Sequence, residues 1–597
     1  MKRFVKTTAI FLTVILMFTM VLTACGTKDA YDPNKTIENF HMTVQNDAAP
    51  IKGGTLMYGI VSDSPLAGIF SNMFNEDAPT AEVGNFFWES LLDMNAERVY
   101  TNEGAATFTY DIDKCTFTIT IKPEYKDKLK WHDGEPVTCD DLLFAYEVIC
   151  HPDYDGIRYD EMFQRIVGAE EYHAGTAATI SGISVSDDKQ SITFTYKPGE
   201  FPPSILSGGI WTIPEPRHYY AGIAVKDMRA SDKSRSKAIG FGPFKITNVV
   251  EGESVQLVRF DDYFRGPAKL DGVNVQIVST DLVPAAMEEG KFDVVEFPTA
   301  KYGDYKTPTN YQYLGYTSLA YGYIGFKLGK WSGDAENGSC VVDPNAKMAD
   351  VNLRKAMAYA YDAETMGETL YSGLRYRATT IMDPYHTRYQ DLTLKGYYYD
   401  PAKANQILDD AGYKDTNGDG FREKPDGSPL VINFASMGGN ETAETIAQMT
   451  VQDWKAVGLN IQLSTGGTIE FNLFYDLVEA DDPGIDVYAG AWSVGDDPSP
   501  SGLWGTKSPL NYTRYSSPTL QTTMDNINSN KAWDAAYRTE QYNLFQKQFE
   551  DEIPAFPTLW RVGLKAVNNR VKNYSVDPEA KDIWIKTELT ADTPYVK

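Results

Sequence analysis

Two stretches of the chain read as a helix that ends at a glycine and runs directly into a short apolar strand. In 282–298, "LVPAAMEEGKFDVVEFP", the glycine is Gly290, and in 442–464, "TAETIAQMTVQDWKAVGLNIQLS", it is Gly458. Glycine commonly follows a helix because it adopts the left-handed backbone conformation without steric cost. The stretch 107–125 instead alternates apolar and polar residues, which is typical of half-buried hairpin strands. Helix-then-strand units alternating with hairpins predict an α/β fold of mixed layers.

The length and the aromatic content of the chain support several folded domains. It has 597 residues, which is several times the ~150 residues of a typical domain. Its 38 tyrosines and 10 tryptophans can build large cores, which a disordered chain cannot do. After the N-terminal segment, no apolar run approaches the ~20 residues of a membrane-spanning helix. We therefore predict a soluble, multidomain body.

The net charge of the chain excludes one class of partner. It is −27 at pH 7, from 82 acidic and 55 basic residues. Binding to nucleic acid needs basic patches that neutralise phosphates, so we expect no nucleic-acid partner. The same charge disfavours flat adsorption on an anionic membrane.

The N-terminus has the pattern of an export signal. Three basic residues lie within the first six, and the run from Thr7 to Ala24 carries no charge. A positive start, an apolar middle and small residues before a cleavage point are typical of a secretory signal. An uncleaved membrane anchor is the alternative, because the run is close to the length of a membrane-spanning helix.

The apolar run ends in a cysteine, Cys25. The sequence Leu22-Thr23-Ala24-Cys25 resembles a bacterial lipobox, in which cleavage leaves the cysteine as a lipidated N-terminus. A thiol is needed at this position because it can form a thioether to a diacylglycerol, and more than one acyl chain gives durable anchoring. We predict a lipoprotein signal peptide over 1–24 and a polar tether over 25–49.

Four cysteines remain in the body: Cys115, Cys139, Cys150 and Cys340. None forms a C-x-x-C pair. An exported protein can oxidise its thiols, so bridges between Cys139 and Cys150 or between Cys115 and Cys139 are alternatives. We expect buried free thiols, because free cysteine packs as a small hydrophobic residue.

Five segments spread along the body form a series of sequence motifs. They are "LKWHDGEPVTCDDLLFAYE", "IGFGPFKI", "NLRKAMAYAYD", "YYYDPAKANQILDDAGYKDTNGDG" and "IPAFPTLW". In this order they resemble the bacterial extracellular solute-binding proteins of family 5, which include the oligopeptide-binding lipoproteins of Gram-positive bacteria. The resemblance runs over about 51–576. Any one block can arise by chance, but five in the family's order make the resemblance specific.

The resemblance implies an α/β, two-lobed periplasmic-binding-protein-like fold of type II, cluster C, with an extra inserted domain and a ligand cleft between the lobes. Crossing strands would join the lobes, and closure about this hinge would trap the ligand. The implied domains are lobe I over 50–84, 212–315 and 553–597, an inserted domain over 85–211, and lobe II over 316–552.

The resemblance also implies the function and the partners. The protein would capture oligopeptides through main-chain pairing, which tolerates many sequences. It would deliver them to the permease subunits of an ABC importer, as a lipid-anchored monomer on the extracellular face of a Gram-positive-type cell membrane. The same fold binding an oligosaccharide or a signalling peptide is the closest alternative, because fold alone does not set the ligand.

Family members commonly hold the amino terminus of the peptide with an acid. The matching stretch here is "AWSVGDDPSPSGLW", in which Asp496 and Asp497 are the candidates. The stretch lacks one residue of the common family spacing, so the choice between the two acids stays open. The alternative is that Asp497-Pro498 only starts a turn.

Three further residues are candidates for lining the cleft. Trp492 and Trp504 flank the same stretch, with packing in the core as the alternative for each. Arg514, in "NYTRY", corresponds to a companion segment of the cleft. We expect it to meet either a ligand carboxylate or a structural acid.

The segment 415–426, "DTNGDGFREKPD", resembles the front of an EF-hand calcium loop. Its six candidate ligands are Asp415, Asn417, Asp419, Phe421, Glu423 and Asp426. The last position is Asp instead of the usual bidentate Glu, and no helix is expected after it. The prediction is a structural Ca²⁺ site, with an acidic β-turn at Asn417-Gly418 as the alternative. No cofactor is required for the function.

The sequence shows no recognisable catalytic motif. It contains no G-x-S-x-G, H-E-x-x-H or P-loop pattern, and its six histidines are scattered. Neighbouring carboxylates are too common among 82 acids to indicate a glycosidase. We therefore expect no enzyme activity. A secreted hydrolase and a cell-wall scaffold or adhesin are the alternatives from other classes.

Overall fold

A computed structural model of the chain describes residues 37–333 and 338–597. These residues belong to one unit of the fold. The predicted signal peptide, Cys25 and the first part of the predicted tether lie outside the described residues. Within the described ranges, no helix combines the length and the apolar character needed to cross a bilayer.

The described residues form strands that range from two to sixteen residues in length. In chain order they are β1 (Thr55–Val61), β2 (Asp93–Met94), β3 (Tyr100–Thr101), β4 (Ala106–Asp111), β5 (Thr116–Ile121), β6 (Ile183–Val185), β7 (Ser191–Thr195), β8 (Phe244–Val250), β9 (Ser254–Arg259), β10 (Gly272–Val278), β11 (Val294–Glu296), β12 (Tyr311–Phe326), β13 (Gly329–Ser332), β14 (Ser339–Val342), β15 (Arg375–Arg377), β16 (Val431–Ala435), β17 (Asn460–Leu463), β18 (Val487–Ser493), β19 (Ala555–Asn568), β20 (Val571–Lys572) and β21 (Glu588–Leu589).

The α-helices are short except for two in the second half of the chain. In chain order they are α1 (Ala78–Gly84), α2 (Cys139–Ile149), α3 (Glu161–Gln164), α4 (Ala169–His173), α5 (Val225–Met228), α6 (Val283–Glu288), α7 (Val351–Tyr359), α8 (Ala363–Tyr371), α9 (Pro401–Asp410), α10 (Ala443–Ala456), α11 (Phe471–Glu479), α12 (Ser501–Trp504), α13 (Pro518–Ile527), α14 (Ala535–Glu552) and α15 (Ile583–Lys586).

Local sequence explains where several of these helices begin. Asp350 accepts a hydrogen bond from the backbone N–H of Asn352 at the start of α7. Asp400 caps α9 in the same way, and Pro401 occupies the first helical position, where its missing N–H has no cost. The two predicted helix-then-strand units are confirmed as α6 followed by β11 and α10 followed by β17.

One eleven-stranded sheet runs through both lobes. Its order is β17-β16-β18-β12-β19-β11-β1-β10-β9-β8, and β15 also pairs with β19. The long strands β12 and β19 are antiparallel neighbours from Tyr311↔Asn568 to Gly325↔Ala555. Their register shifts between Thr317 and Tyr323, at the middle of the crossing. These two strands therefore form the connection through which the sheets of the two lobes join.

The described residues include three hydrophobic cores, two of which lie on this sheet. The core of lobe I includes Leu56 and Val567, and that of lobe II includes Leu353 and Leu559. A third core belongs to the inserted domain and is built on the separate sheet β4-β5-β7-β6. The third core also takes in Phe264, which lies outside the predicted 85–211 in sequence.

Part of the predicted tether packs against lobe I. His41 forms a bridge with Leu314, and Thr43 forms one with Ser575. The N–H of Val44 donates to the carbonyl of Tyr574 at 2.9 Å, and the Val44 side chain is buried. Residues 41–46 of the predicted tether therefore pair with lobe I. The contacts are mainly backbone pairing, which leaves no periodic apolar pattern in the sequence.

All four body cysteines are buried and unbridged in the described structure. The prediction of free thiols is confirmed, and the two alternative bridges are wrong. Burial raises the pKa of the Cys139 thiol to about 12 and that of Cys340 to about 11. At neutral pH both stay protonated and unreactive, because the thiolate is the reactive form.

Candidate functional site

A cavity of about 710 Å³ lies beside the crossing strands. Tyr316 of β12 and Lys565 of β19 line it, together with Glu82 of lobe I and Arg98 of the inserted domain. Its volume is within the range of ligand pockets, about 300–1,000 Å³. The full lining is Tyr58, Val61, Glu82, Asn85, Arg98, Glu296, Tyr316, Lys565, Tyr574, Ser575, Val576 and Trp584.

Lys565 is the centre of a polar network on the wall of this cavity. Its Nζ lies 3.1 Å from Oε1 of Glu82 and 3.3 Å from Oε2 of Glu296. Tyr58 Oη donates to Glu82 at 2.6 Å, and Tyr316 Oη donates to Glu296 at 2.8 Å.

The charges of this network are fixed by burial and by one another. Burial alone would lower the pKa of Lys565, but Tyr58, Glu82 and Glu296 raise it well above its ordinary value. Burial also raises the pKa of Glu296, against the effect of Lys565. The wall therefore offers a permanent ammonium group flanked by carboxylate acceptors. This arrangement suits a polar, hydrogen-bonding ligand, and no nucleophile or general base stands out in it.

The inserted domain and lobe II touch across the cleft. Arg98 NH1 lies 3.4 Å from Oδ1 of Asp496, and both side chains are partly exposed. The indole N–H of Trp533 donates to the carbonyl of Phe201 at 2.9 Å. Lobe I and lobe II are joined in turn by an ion pair between Lys301 and Glu441, at 2.5 Å.

The structure separates the two candidate acids. Asp497 accepts from NH2 of Arg538 at 3.0 Å, and the Arg538 side chain is 5% exposed. Its carboxylate is therefore used to neutralise a buried cation of α14. Asp496 instead faces the inserted domain through Arg98, and its backbone carbonyl accepts from His386 at 3.2 Å. Of the two, Asp496 has the carboxylate that lies at the boundary between the lobes.

The two tryptophans have different surroundings. Trp504 is 6% exposed, and its ring packs edge-on against Phe549 and Tyr323, which is a core position. Trp492 of β18 is half-buried and stacks on Tyr512, with 5.4 Å between the ring centroids. The indole N–H of Trp492 is buried without a hydrogen-bond partner in the described structure.

Arg514 meets a structural acid, which was one of the two expectations for it. Its Nε donates to Oδ1 of Asp481 at 2.8 Å, and its NH2 donates to the carbonyl of Glu479 at 2.9 Å. The side chain is 3% exposed. Because all three of its donor directions meet protein groups, counting the carbonyl of Pro509, Arg514 has little capacity for a ligand.

The 415–426 loop is closed by its own hydrogen bonds. Asp415 accepts from the N–H groups of Gly418 and Gly420, at 2.6 and 2.9 Å. Asn417 donates through its amide to Oε1 of Glu423 at 2.8 Å, and the second oxygen of Glu423 accepts from Thr416. This network resembles the turn alternative more closely than an EF-hand.

The residues present do not fit a calcium ion in this arrangement. Ca²⁺ takes six to eight oxygens converging on one point. In residues 37–333 and 338–597, no group of three or more His, Cys, Asp or Glu is placed to hold a metal ion. Asp419 Oδ1 accepts from the N–H of Phe421, and Asp426 Oδ1 accepts from that of Ser428. The EF-hand interpretation therefore rests on the sequence pattern alone.

Calcium is therefore expected to leave the melting temperature of the protein unchanged. The measurement is differential scanning calorimetry in calcium and in EDTA, with magnesium as the control cation. A higher melting temperature in calcium alone, removed by Asp415→Ala, would contradict this expectation and establish the EF-hand interpretation.

Sequence reasoning missed the charged wall of the cavity. Lys565 carries a signal that could have been used, because it is a charged residue within the apolar stretch "LWRVGLKAV" of a crossing strand. Glu82 and Arg98 lie about 200 positions before Glu296, and no motif connects the three residues. Their roles depend on the way the chain folds.

Two lobes, a hinge of two long strands and a cavity at that hinge define a two-lobed ligand-binding protein. The model of the bacterial extracellular solute-binding proteins of family 5 matches residues 100–514. The chain is 31% identical over 598 aligned residues to the oligopeptide-binding protein OppA of Lactococcus lactis subsp. cremoris, covering 97% of each chain. It therefore belongs to family 5 of the extracellular solute-binding proteins.

Two further relatives agree with this assignment. A solved structure of lactococcal OppA, complexed with an endogenous peptide in the closed conformation, is 30% identical and superposes with a TM-score of 0.76. That comparison covers 90% of this chain and all of the other. The oligopeptide-binding protein AppA of Bacillus subtilis is 24% identical, over 92% of this chain and 93% of that protein. The two-lobed fold is confirmed.

Proposed function

We propose that the protein binds oligopeptides in the cleft between its lobes and delivers them to the permease of an ABC importer. The observation that carries the proposal is a polar-walled cavity at the hinge of a chain that matches an oligopeptide-binding protein over 97% of its length. No reaction is part of the proposal. The alternative ligands, an oligosaccharide or one signalling peptide, share the fold and are distinguished by the first experiment below.

Closure about the crossing strands couples binding to delivery. A ligand that contacts both lobes binds the closed form more tightly and shifts the population toward it. The shift of register between Thr317 and Tyr323 interrupts the ladder of β12 and β19 where the two lobes must rotate. The Arg98–Asp496 and Lys301–Glu441 ion pairs are contacts between the two sides of the cleft that would support the closed form.

The proposed setting is the extracellular face of the cell membrane. The family is one of extracellular proteins. A lipid on Cys25 would hold the protein near the permease, and the lipobox-like sequence supports that attachment. The protein would act as a monomer, because one chain supplies both lobes of the cleft.

Mass spectrometry of the purified protein after acid extraction tests the ligand class. The expected result is a set of short peptides of mixed sequence. Detection of a single sugar or of one defined peptide would support a ligand-binding role but would contradict the uptake of mixed oligopeptides. Hydrolysis of an added peptide mixture would contradict the proposal and favour the secreted hydrolase.

Asp496 is proposed to hold the amino terminus of the peptide, replacing its partly exposed contact with Arg98. We expect Asp496→Asn to weaken binding of peptides with a free amino terminus about 10-fold or more, as expected for a hydrogen bond to a charged group. For the same peptides with an acetylated amino terminus, Asp496→Asn and the wild type should bind with equal affinity. Isothermal titration calorimetry measures both affinities.

Asp497→Asn is the matched control for this prediction. It is expected to lower the melting temperature, because Arg538 loses its ion-pair partner. The ratio of the affinities for peptides with free and acetylated amino termini should remain that of the wild type. If Asp497→Asn changed that ratio and Asp496→Asn did not, the roles of the two acids would be reversed.

A further inference from the structure

Two arginines lie directly opposite each other where β15 pairs with β19. Arg375 and Arg561 are register partners in this antiparallel ladder, so their side chains project from the same face of the sheet. Both side chains are half-buried. Like charges directly opposite each other destabilise a strand pair, so this arrangement has a cost unless an anion lies nearby.

No acid neutralises the pair within the described ranges. The backbone of Arg561 pairs with that of Arg375, but its side chain forms no hydrogen bond or ion pair with any residue described in the structure. Arg375 lies over the ring of Tyr371, at 3.9 Å from its centroid, and its Nε is buried without a hydrogen-bond partner. Two residues away, Arg377 is paired with Glu364 at 3.0 Å, so the absence of an acid is specific to the pair.

The electrostatic effect of the arrangement is visible in Arg561. Burial, followed by the charge of Arg375, lowers the pKa of Arg561 to about 10. The phenols of Tyr371 and Tyr475 oppose this shift only in part. Phenols are neutral at pH 7, so they leave both positive charges in place.

The pair lies on the hinge strand β19 and its neighbour β15, on the face that also carries a residue of the cavity wall. Arg561 is on the part of β19 between Leu559, in the core of lobe II, and Val567, in the core of lobe I. Lys565, which lines the cavity, is four residues further along the same face, about 13 Å away. Residues Thr299–Lys301 of lobe I contact α8, which ends beside Arg375.

We propose that Arg375 and Arg561 together bind a carboxylate of the peptide ligand. This inference rests on the proposed function. Arginine is suited to this role because its planar fork donates two parallel hydrogen bonds to a carboxylate. The carboxylate is either the C-terminus of the peptide or an acidic side chain, and both have the same chemistry. The pair thereby makes the cleft selective for peptides that place an anion at the hinge.

The test measures peptide affinities by isothermal titration calorimetry for the wild type, Arg375→Gln and Arg561→Gln. The probes are synthetic peptides of alanine, glycine and one tyrosine in several lengths. Each is made with a free C-terminus, with an amidated C-terminus, and amidated with one glutamate or one glutamine in the sequence. Arg259→Gln is the control variant, because Arg259 lies on β9 and is already paired with Asp261 at 2.7 Å.

Each variant of the pair is expected to bind a carboxylate-bearing peptide about 10- to 100-fold more weakly, with little change for the amidated peptide that carries no acid. A loss confined to free C-termini assigns the site to the C-terminus, and a loss confined to glutamate peptides assigns it to a side chain. The proposal would be overturned if the variants bound every peptide as tightly as the wild type does. It would also be overturned if they lost the same affinity for peptides with and without a carboxylate.

The stability of the ligand-free variants gives a second readout. Removing one of two like charges is expected to leave the melting temperature unchanged or to raise it, whereas a structural arginine would lower it when removed. If the wild type binds peptides with and without a carboxylate equally well, only the proposed arginine site is overturned. Absence of binding for every peptide would overturn the proposed function as well.

Discussion

Asp481→Ala is expected to lower the free energy of unfolding by about 3–5 kcal/mol, which is the range for breaking a buried ion pair by removing one partner. Asp481 is the acid shared by two buried cations of lobe II. It accepts from Arg514 Nε at 2.8 Å and pairs closely with Lys327. Burial already lowers the pKa of Lys327 to about 8, so without Asp481 this lysine can lose its proton. Arg514 cannot do so, and its charge would remain buried without an acid.

The measurement is urea unfolding followed by tryptophan fluorescence. Asp111→Ala is the control, because Asp111 forms an exposed ion pair with Lys114. That variant should unfold at the wild-type urea midpoint, since exposed ion pairs contribute little to stability. An Asp481→Ala protein as stable as the wild type would show that Lys327 and Arg514 find other partners. It would then reopen the interpretation of Arg514 as a ligand-binding residue.

Glu215→Gln is expected to make the protein more stable than the wild type at neutral pH. Glu215 is 5% exposed, and its carboxyl accepts from the N–H of Asn72 at 2.9 Å and from Ser71 Oγ at 3.3 Å. No cation pairs with it among the described residues. Burial raises the pKa of this carboxyl to about 8, against the partial opposition of these hydrogen bonds.

The sign of the pH dependence follows from this raised pKa. Below about pH 4.5, the carboxyl is protonated in both the folded and the unfolded states. As the pH rises toward 8, the unfolded state loses the proton and the folded state keeps it, so the wild type loses stability at up to ~1.4 kcal/mol per pH unit. Above about pH 8 the effect of Glu215 is constant. Glutamine does not titrate, so the difference between Glu215→Gln and the wild type isolates this group.

Urea unfolding of both proteins across this pH range checks the prediction. The stability difference should be small near pH 4.5 and should grow in favour of Glu215→Gln up to about pH 8. A difference that does not depend on pH would mean that Glu215 keeps an ordinary pKa, through a water molecule or a cation that reaches its carboxyl.

Local pattern and motif order predicted the fold. The helices that end at Gly290 and Gly458 run into strands as expected, because glycine at a helix end and apolar runs are local signals. The contacts of 41–46 with lobe I were missed because pairing through the backbone leaves no pattern in the side chains.

The site was harder to predict, because its residues are joined only by folding. The sequence placed Asp496 and Asp497 side by side, but the distinction between them depends on Arg538 and Arg98, which lie 41 and 398 positions away. The opposition of Arg375 and Arg561 depends on which strand pairs with β19, which no local pattern specifies. A charged side chain within an apolar crossing strand can indicate a residue of the cavity wall, as Lys565 does.

The contacts of residues 41–46 determine which lobe the N-terminal segment is attached to. Those residues are pinned to Leu314 and Ser575, which both belong to lobe I. Residues that precede this segment in the chain therefore connect to the body first through lobe I, at Leu314 of β12 and at Ser575. If the protein is anchored through the proposed lipid on Cys25, lobe I is the lobe held near the membrane, and the proposed closure would move lobe II relative to it.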